Sequence, residues 1–248
     1  MITTIVCKEL KILFASSLAW IFLALMQLVL AWVFLERLHT FLAIQTQLTQ
    51  LVNPPGITEV IVAPVFSVAS IAFLMITPIL SMRMLAEERR NHTLVMLISA
   101  PVSIAAIVLG KFAALMVFFL LALLLILVLS SSLLVGGTLD FGLLCSNVLG
   151  LTLLAACFAS LGLYLSSLFS HPALAALSSM GVLLFLWLLD IVALDVVAHS
   201  VRYLSIFQHF ENFNLGLIDT FSLAFCLLFV VAFLALTMRQ LDRERLHG

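Results

Sequence analysis

Between Arg83 and Pro101 the chain reads Arg83-Met84-Leu85-Ala86-Glu87-Glu88-Arg89-Arg90-Asn91-His92-Thr93-Leu94, then Leu97 and Ile98 at helical spacing, before Pro101 breaks the pattern. Two acids followed by two bases, running into an apolar stripe, describe a short helix that can dock by charge-assisted hydrogen bonds into a groove on a partner. The same residues also describe a solvated loop whose cations set topology. The acids Glu87 and Glu88 argue against simple attraction to anionic lipid. A second grouping, Phe207, His209, Phe210, Glu211 and Phe213, places an imidazole and a carboxylate on a short aromatic helix. Two candidate ligands fall short of the three or four that zinc needs, so His209 and Glu211 read as polar residues of an interfacial segment. Asp190 and Asp195 lie at the edge of an apolar run, where hydration is within reach. Cys7, Cys145, Cys157 and Cys226 are scattered in or beside apolar segments, with no CxxC spacing, and read as small core residues. There is no GxxxxGK[ST] phosphate loop, no HExxH and no GxSxG, so no catalytic set is present.

The elements that must position these groups are membrane spans. Of 248 residues, 65% are hydrophobic and 9% charged, against about 45–50% and about 25% in soluble domains. That excludes a soluble enzyme and a nucleic-acid binder. Six apolar runs are long enough to cross a bilayer: Ile12 to Leu35, Val60 to Met82, Ile104 to Val135, Leu143 to Phe169, Ala173 to Leu194 and Thr220 to Met238. The first run is too long for a signal-peptide core and lacks a small-residue cleavage site, so it is expected to be retained. Helices satisfy their own backbone in lipid, so one all-α domain over residues 1–248 is expected.

With both termini inside, the inner segments hold Lys8, Lys11, Arg83, Arg89, Arg90, Lys111, Arg239, Arg243 and Arg245, and the outer ones only Arg37 and Arg202. Nine cations against two place the termini in the cytoplasm. The N-terminal Lys8, Glu9 and Lys11 are then expected at the headgroups with Leu10, Leu13 and Phe14 dipping in, either as an interfacial helix or as a flank that only sets topology. The outer stretch Glu36 to Glu59 carries Gln45, Gln47 and Gln50 and ends at Asn53-Pro54-Pro55-Gly56. An ion-coupled carrier would need titratable residues across the midplane, which the spans lack; a membrane anchor for other machinery stays open on composition alone.

The run Glu87 to Leu94, continued by Ala100-Pro101-Val102-Ser103 and Gly110-Lys111-Phe112, resembles the hallmark stretch of type-2 ABC exporter permeases. The run Leu204-Ser205-Ile206-Phe207-Gln208-His209-Phe210-Glu211 with Gly216-Leu217-Ile218-Asp219 is similar to the gliding-motility-associated (GldF-like) branch of that family; Lys8-Glu9-Leu10 with Ala19-Trp20, and Ser166-Ser167-Leu168, fit as well. His92 departs from the family's usual Gly, and Leu18 from its common Pro. The resemblance implies six spans, an N-terminal interfacial helix, a cytoplasmic coupling helix containing Glu87, Glu88, Arg89, Arg90, Asn91, His92, Thr93 and Leu94, and an outer re-entrant segment with Phe207, His209, Phe210, Glu211, Gly216 and Asp219 near the exit. It implies no cofactor in this chain. ATP and magnesium belong to a cytosolic ATPase partner, in two copies, beside a second identical or related permease. The location implied is the bacterial inner membrane, and the gliding-motility branch adds a larger periplasmic or membrane auxiliary protein.

Overall fold

The structure, a computed structural model, describes residues 2–48, 56–91, 93, 102–135, 139–193 and 205–247. Expectations for Asn53-Pro54-Pro55, His92, Leu94 to Pro101, Asp195 and Arg202 lie outside these residues. Among the described residues the chain is helical throughout, without strands. The helices are α1 (Ile2–Ala15), α2 (Ser17–Leu48), α3 (Ala63–Met84, entered through a π-helical turn Thr58–Val62), α4 (Ala86–Arg90), α5 (Ile104–Ser131), α6 (Phe141–Leu168), α7 (Pro172–Ala193), α8 (Ile206–Asn214) and α9 (Thr220–His247). Six of them, α2, α3, α5, α6, α7 and α9, are long and apolar enough to cross a membrane.

The first apolar run of the sequence is cut at Ser16, which separates α1 from α2. The break frees carbonyls at the end of α1. Trp20 Nε1 donates to Phe14 O (2.9 Å), the amide of Ser16 returns to Leu13 O (3.2 Å), and Arg83 Nη1 reaches across from α3 to Ser16 Oγ (3.0 Å). The elbow is therefore held from both sides, and α1 lies against α5.

Helix α6 is central. It packs against α3, α5, α7, α8 and α9, and 61% of its most apolar stretch is buried, against 17% for α7 and 28% for α2 and α9. Its polar and small residues face inward: Ser146, Asn147, Ser160, Ser166 and Ser167 are all buried. Two glycines on it admit close neighbours. A Cβ on Gly150 would stand 2.5 Å from Phe213 Cβ, and one on Gly162 2.7 Å from Ser81 Oγ. In lipid, where apolar surface gives no net drive for helix association, such close contact and interhelical hydrogen bonding supply the attraction. The peripheral helices show the opposite surface, with Leu28, Trp32, Leu177, Phe185, Leu228 and Val231 exposed.

Gly150→Val forces the α6–α8 contact apart and is expected to cost about 1–3 kcal/mol. Gly181→Val, where nothing lies within 4 Å of the added Cβ, is expected to leave the thermal unfolding midpoint of the detergent-solubilised chain within a degree or two of wild type, at most about 1 kcal/mol.

Candidate functional site

Helix α3 cannot run directly into α4. Leu85 sits at φ −125°, ψ −44°, and the turn leaves the first amides of α4 without intrahelical partners. Ser166, near the end of α6, supplies one: its Oγ accepts from Leu85 N (3.3 Å) and Ala86 N (3.1 Å). The charged helix is thus fastened to the central helix before any of its charges act.

Adjacent residues of α4 then grip two different parts of the bundle. Glu88 turns toward α1 and α5. Lys111, fully buried on α5, sets Nζ 2.8 Å from Glu88 Oε2 and 3.0 Å from Glu9 Oε1 of α1. Lys8 closes the group from the exposed side, 3.4 Å from Glu88 Oε1 and 3.8 Å from Glu9 Oε1. Two cations and two carboxylates therefore neutralise one another in a site where Glu9 is only 5% exposed. Arg89 turns the other way. Its Nη2 donates to Ser167 O at the end of α6 (2.6 Å) and pairs with Glu244 Oε1 near the end of α9. Glu87, Arg90, Asn91 and Thr93 stay exposed; Thr93 Oγ1 donates to Glu88 O (3.2 Å).

The three charged residues of α1 do not share one environment. Lys8 and Lys11 are exposed, but Glu9 is turned inward because Lys111, dehydrated within the bundle, needs a second carboxylate. Sequence reasoning counted Lys111 as an inner cation and as part of the hallmark stretch, but gave it no ionic partner and missed Ser166 and Glu244 as partners of α4. The signal present was a lysine two turns into an apolar helix.

At the opposite end of α6, about 40 Å away for 28 residues, α8 forms the second grouping. Ser205 caps it, its Oγ accepting from Gln208 N (3.4 Å) and donating to Asp190 Oδ1, which ties α8 to the end of α7. The edge acid Asp190 thus has a structural partner. Phe207, His209, Phe210 and Phe213 are buried, while Glu211 is exposed. His209 Nδ1 lies 2.9 Å from Ser222 Oγ, and its ring packs on Phe225. The imidazole is part of the α8–α9 packing, and no group of three metal-ligating side chains occurs among the described residues. Gly216, at φ +81°, ends the helix: Leu217 N donates to Asn212 O (2.9 Å) and Gly216 N to Phe213 O (3.0 Å), the double bond of a left-handed cap. Asp219 then opens α9, its Oδ1 accepting from Phe221 N (3.2 Å).

Below α8 lies a buried polar layer that sequence reasoning did not single out. Asn214 Nδ2 donates to Ala63 O (3.1 Å) and Ser67 Oγ (2.9 Å) of α3. Ser146 Oγ donates to Phe213 O (2.7 Å), and Asn147 Nδ2 reaches Asn214 O (3.1 Å). Buried amides so satisfied fix the seating of α8 on α3 and α6.

Removing Lys111 as Lys111→Met leaves the buried Glu9 and the partly buried Glu88 with only the exposed Lys8 for a cation, a loss of about 3–5 kcal/mol. The triple variant Lys111→Met, Glu9→Gln, Glu88→Gln is expected to recover most of it. Thermal unfolding of both variants in the same detergent checks the pair; equal midpoints would contradict a buried ionic clamp.

Residues 3–246 match the family described as ABC-2 family transporter protein. No curated protein sequence matches the chain significantly.

Proposed function

The chain belongs to the ABC-2 family of transporter proteins, and from that premise we propose that it is the membrane-spanning subunit of an ATP-driven exporter whose ATPase is a separate chain. ATP and its magnesium ion belong to that partner, in two copies, against two permeases of this kind in the bacterial inner membrane. The count of cations supports cytoplasmic termini. The α4 end then faces the ATPases, and α8 the far side.

The single observation that supports this reading most is the double attachment of α4. Its exposed residues, Glu87, Arg90 and Asn91, are free to meet a partner. Its inward residues hold the bundle: Glu88 holds α1 and α5, and Arg89 holds α6 and α9. A displacement of α4 by ATPase closure is therefore delivered to both sides of the bundle at once. ATP shifts the packing equilibrium only by the contacts it favours in one state, and α4 is where those contacts reach this chain. Lys111 acts as a positioning residue: it touches neither nucleotide nor cargo, but keeps Glu88 and α1 moving together. The resemblance to the gliding-motility branch adds a larger auxiliary protein at the α8 end.

The test is purification from native membranes in mild detergent. An ATPase of the cassette type is expected in the eluate. The double reversal Glu87→Lys, Arg90→Glu, whose exposed side chains make no ion pair or hydrogen bond among the described residues, is expected to reduce it about ten-fold or more. Glu88→Gln is expected to keep the ATPase bound while lowering its stimulation by this chain. A wild-type eluate without an ATPase, or an undiminished one in the double reversal, would overturn the assignment.

A further inference from the structure

At the α8 end an open cleft of about 730 Å³ lies between α2, α3 and α6. Its rim carries Arg37, Glu59 and Asp140, and its floor Ser67 and Asn214. The floor is satisfied internally: Ser67 Oγ accepts from Asn214 and donates to Ala63 O (3.2 Å). The rim is not. Among the described residues Arg37 and Glu59 make no ion pair with each other or with Asp140, although all three line one cleft. Asp140 uses Oδ1 to cap α6, accepting from Gly142 N (2.9 Å) and Leu143 N (3.2 Å), which leaves Oδ2 for a ligand.

The depth of these charges is set by chain length. Helix α2 starts at Ser17, and about 20 residues cross the hydrocarbon layer, so Arg37 stands where that layer ends. Below it Trp32 is 73% and Leu35 60% exposed, a surface suited to acyl chains. Glu59 lies just ahead of α3 and Asp140 just ahead of α6, and both line the cleft with Arg37. Two carboxylates and one guanidinium at headgroup depth disfavour an anionic lipid. They suit a headgroup with a phosphate for Arg37 and a primary ammonium, with three donors, for Glu59 and Asp140. A trimethylammonium offers no donor and is usually held by aromatic faces, and none of the described residues that line this cleft is aromatic. The apolar walls, Val68 and Leu143 among them, give room for the glycerol and first chain carbons.

We infer that this cleft holds the headgroup of an ethanolamine phospholipid from the surrounding leaflet. The site is independent of ATPase coupling, so its failure leaves the transporter assignment untouched. The test places the full-length chain in nanodiscs containing equal amounts of phosphatidylethanolamine, phosphatidylcholine and phosphatidylglycerol, strips loosely held lipid, and counts the retained lipid by native mass spectrometry. Phosphatidylethanolamine is expected to be enriched, and Arg37→Gln with Glu59→Gln to lower its retention about ten-fold. Asp140→Asn, which keeps the helix cap, is expected to lower it in the same direction. Glycerophosphoethanolamine, lacking acyl chains, is expected to compete poorly; equal competition would point to a soluble ligand and overturn the lipid. Enrichment of phosphatidylglycerol, a bound protein segment in place of lipid, or unchanged retention in variants with wild-type unfolding midpoints would also overturn it.

Discussion

A lysine ammonium taken out of water must be surrounded by anions or give up its charge. Lys111 is fully buried, and it draws Glu9 from α1 and Glu88 from α4 to within 3.0 Å and 2.8 Å. That one requirement organises the whole α4 end of the molecule. It turns a face of α1 inward, brings α1 against α5 close enough that a Cβ on Gly110 would meet Ile5 at 2.7 Å, and fixes which side of α4 is left outside. Arg89 has no choice of direction once Glu88 is committed, because neighbouring residues on a helix point about 100° apart. It therefore meets the ends of α6 and α9.

The rest of the bundle is held by a different device. Between apolar helices in lipid, leucine and valine contacts do not distinguish a protein neighbour from an acyl chain. Small and polar residues do. Gly150 and Gly162 let Phe213 and Ser81 approach α6, and Ser146, Asn147 and Asn214 bond across to backbone carbonyls and to one another. These contacts seat α8 on α6 at one end, while Ser166 seats α4 on α6 at the other. A single central helix thus carries both groupings of chemically capable residues.

Much of this was legible in the residues themselves. Six apolar runs became six long helices, because twenty apolar residues in lipid have no other backbone solution than a helix or a closed barrel. The charged run after the second span stood out because four consecutive charges, Glu87 to Arg90, interrupt the apolar pattern between two spans. A separate N-terminal helix was expected from the resemblance, but the position of the break at Ser16 was not legible, since Leu, Ala and Ile continue on both sides of it and the bend depends on Trp20 and on Arg83 from a distant helix. Nor was the face each span buries: α3 and α5 are apolar all round, so no periodicity separates core from lipid.

Composition and spacing determined that this is an all-helical membrane chain with six candidate spans, and the quoted motifs determined its resemblance to the transporter family that its residues match. Those properties follow from summed hydropathy and from local order along the chain, which no folding event changes. Only the tertiary structure decided that Glu9 is buried, that Glu88 and Arg89 look inward, that Glu244 belongs to the same grouping as Arg89, and that Arg37, Glu59 and Asp140 share a cleft. Such groupings join residues as far apart as 155 positions. What brings them together is the need to neutralise or hydrogen-bond each polar group that helix packing removes from water, and that need exists only once the helices have met.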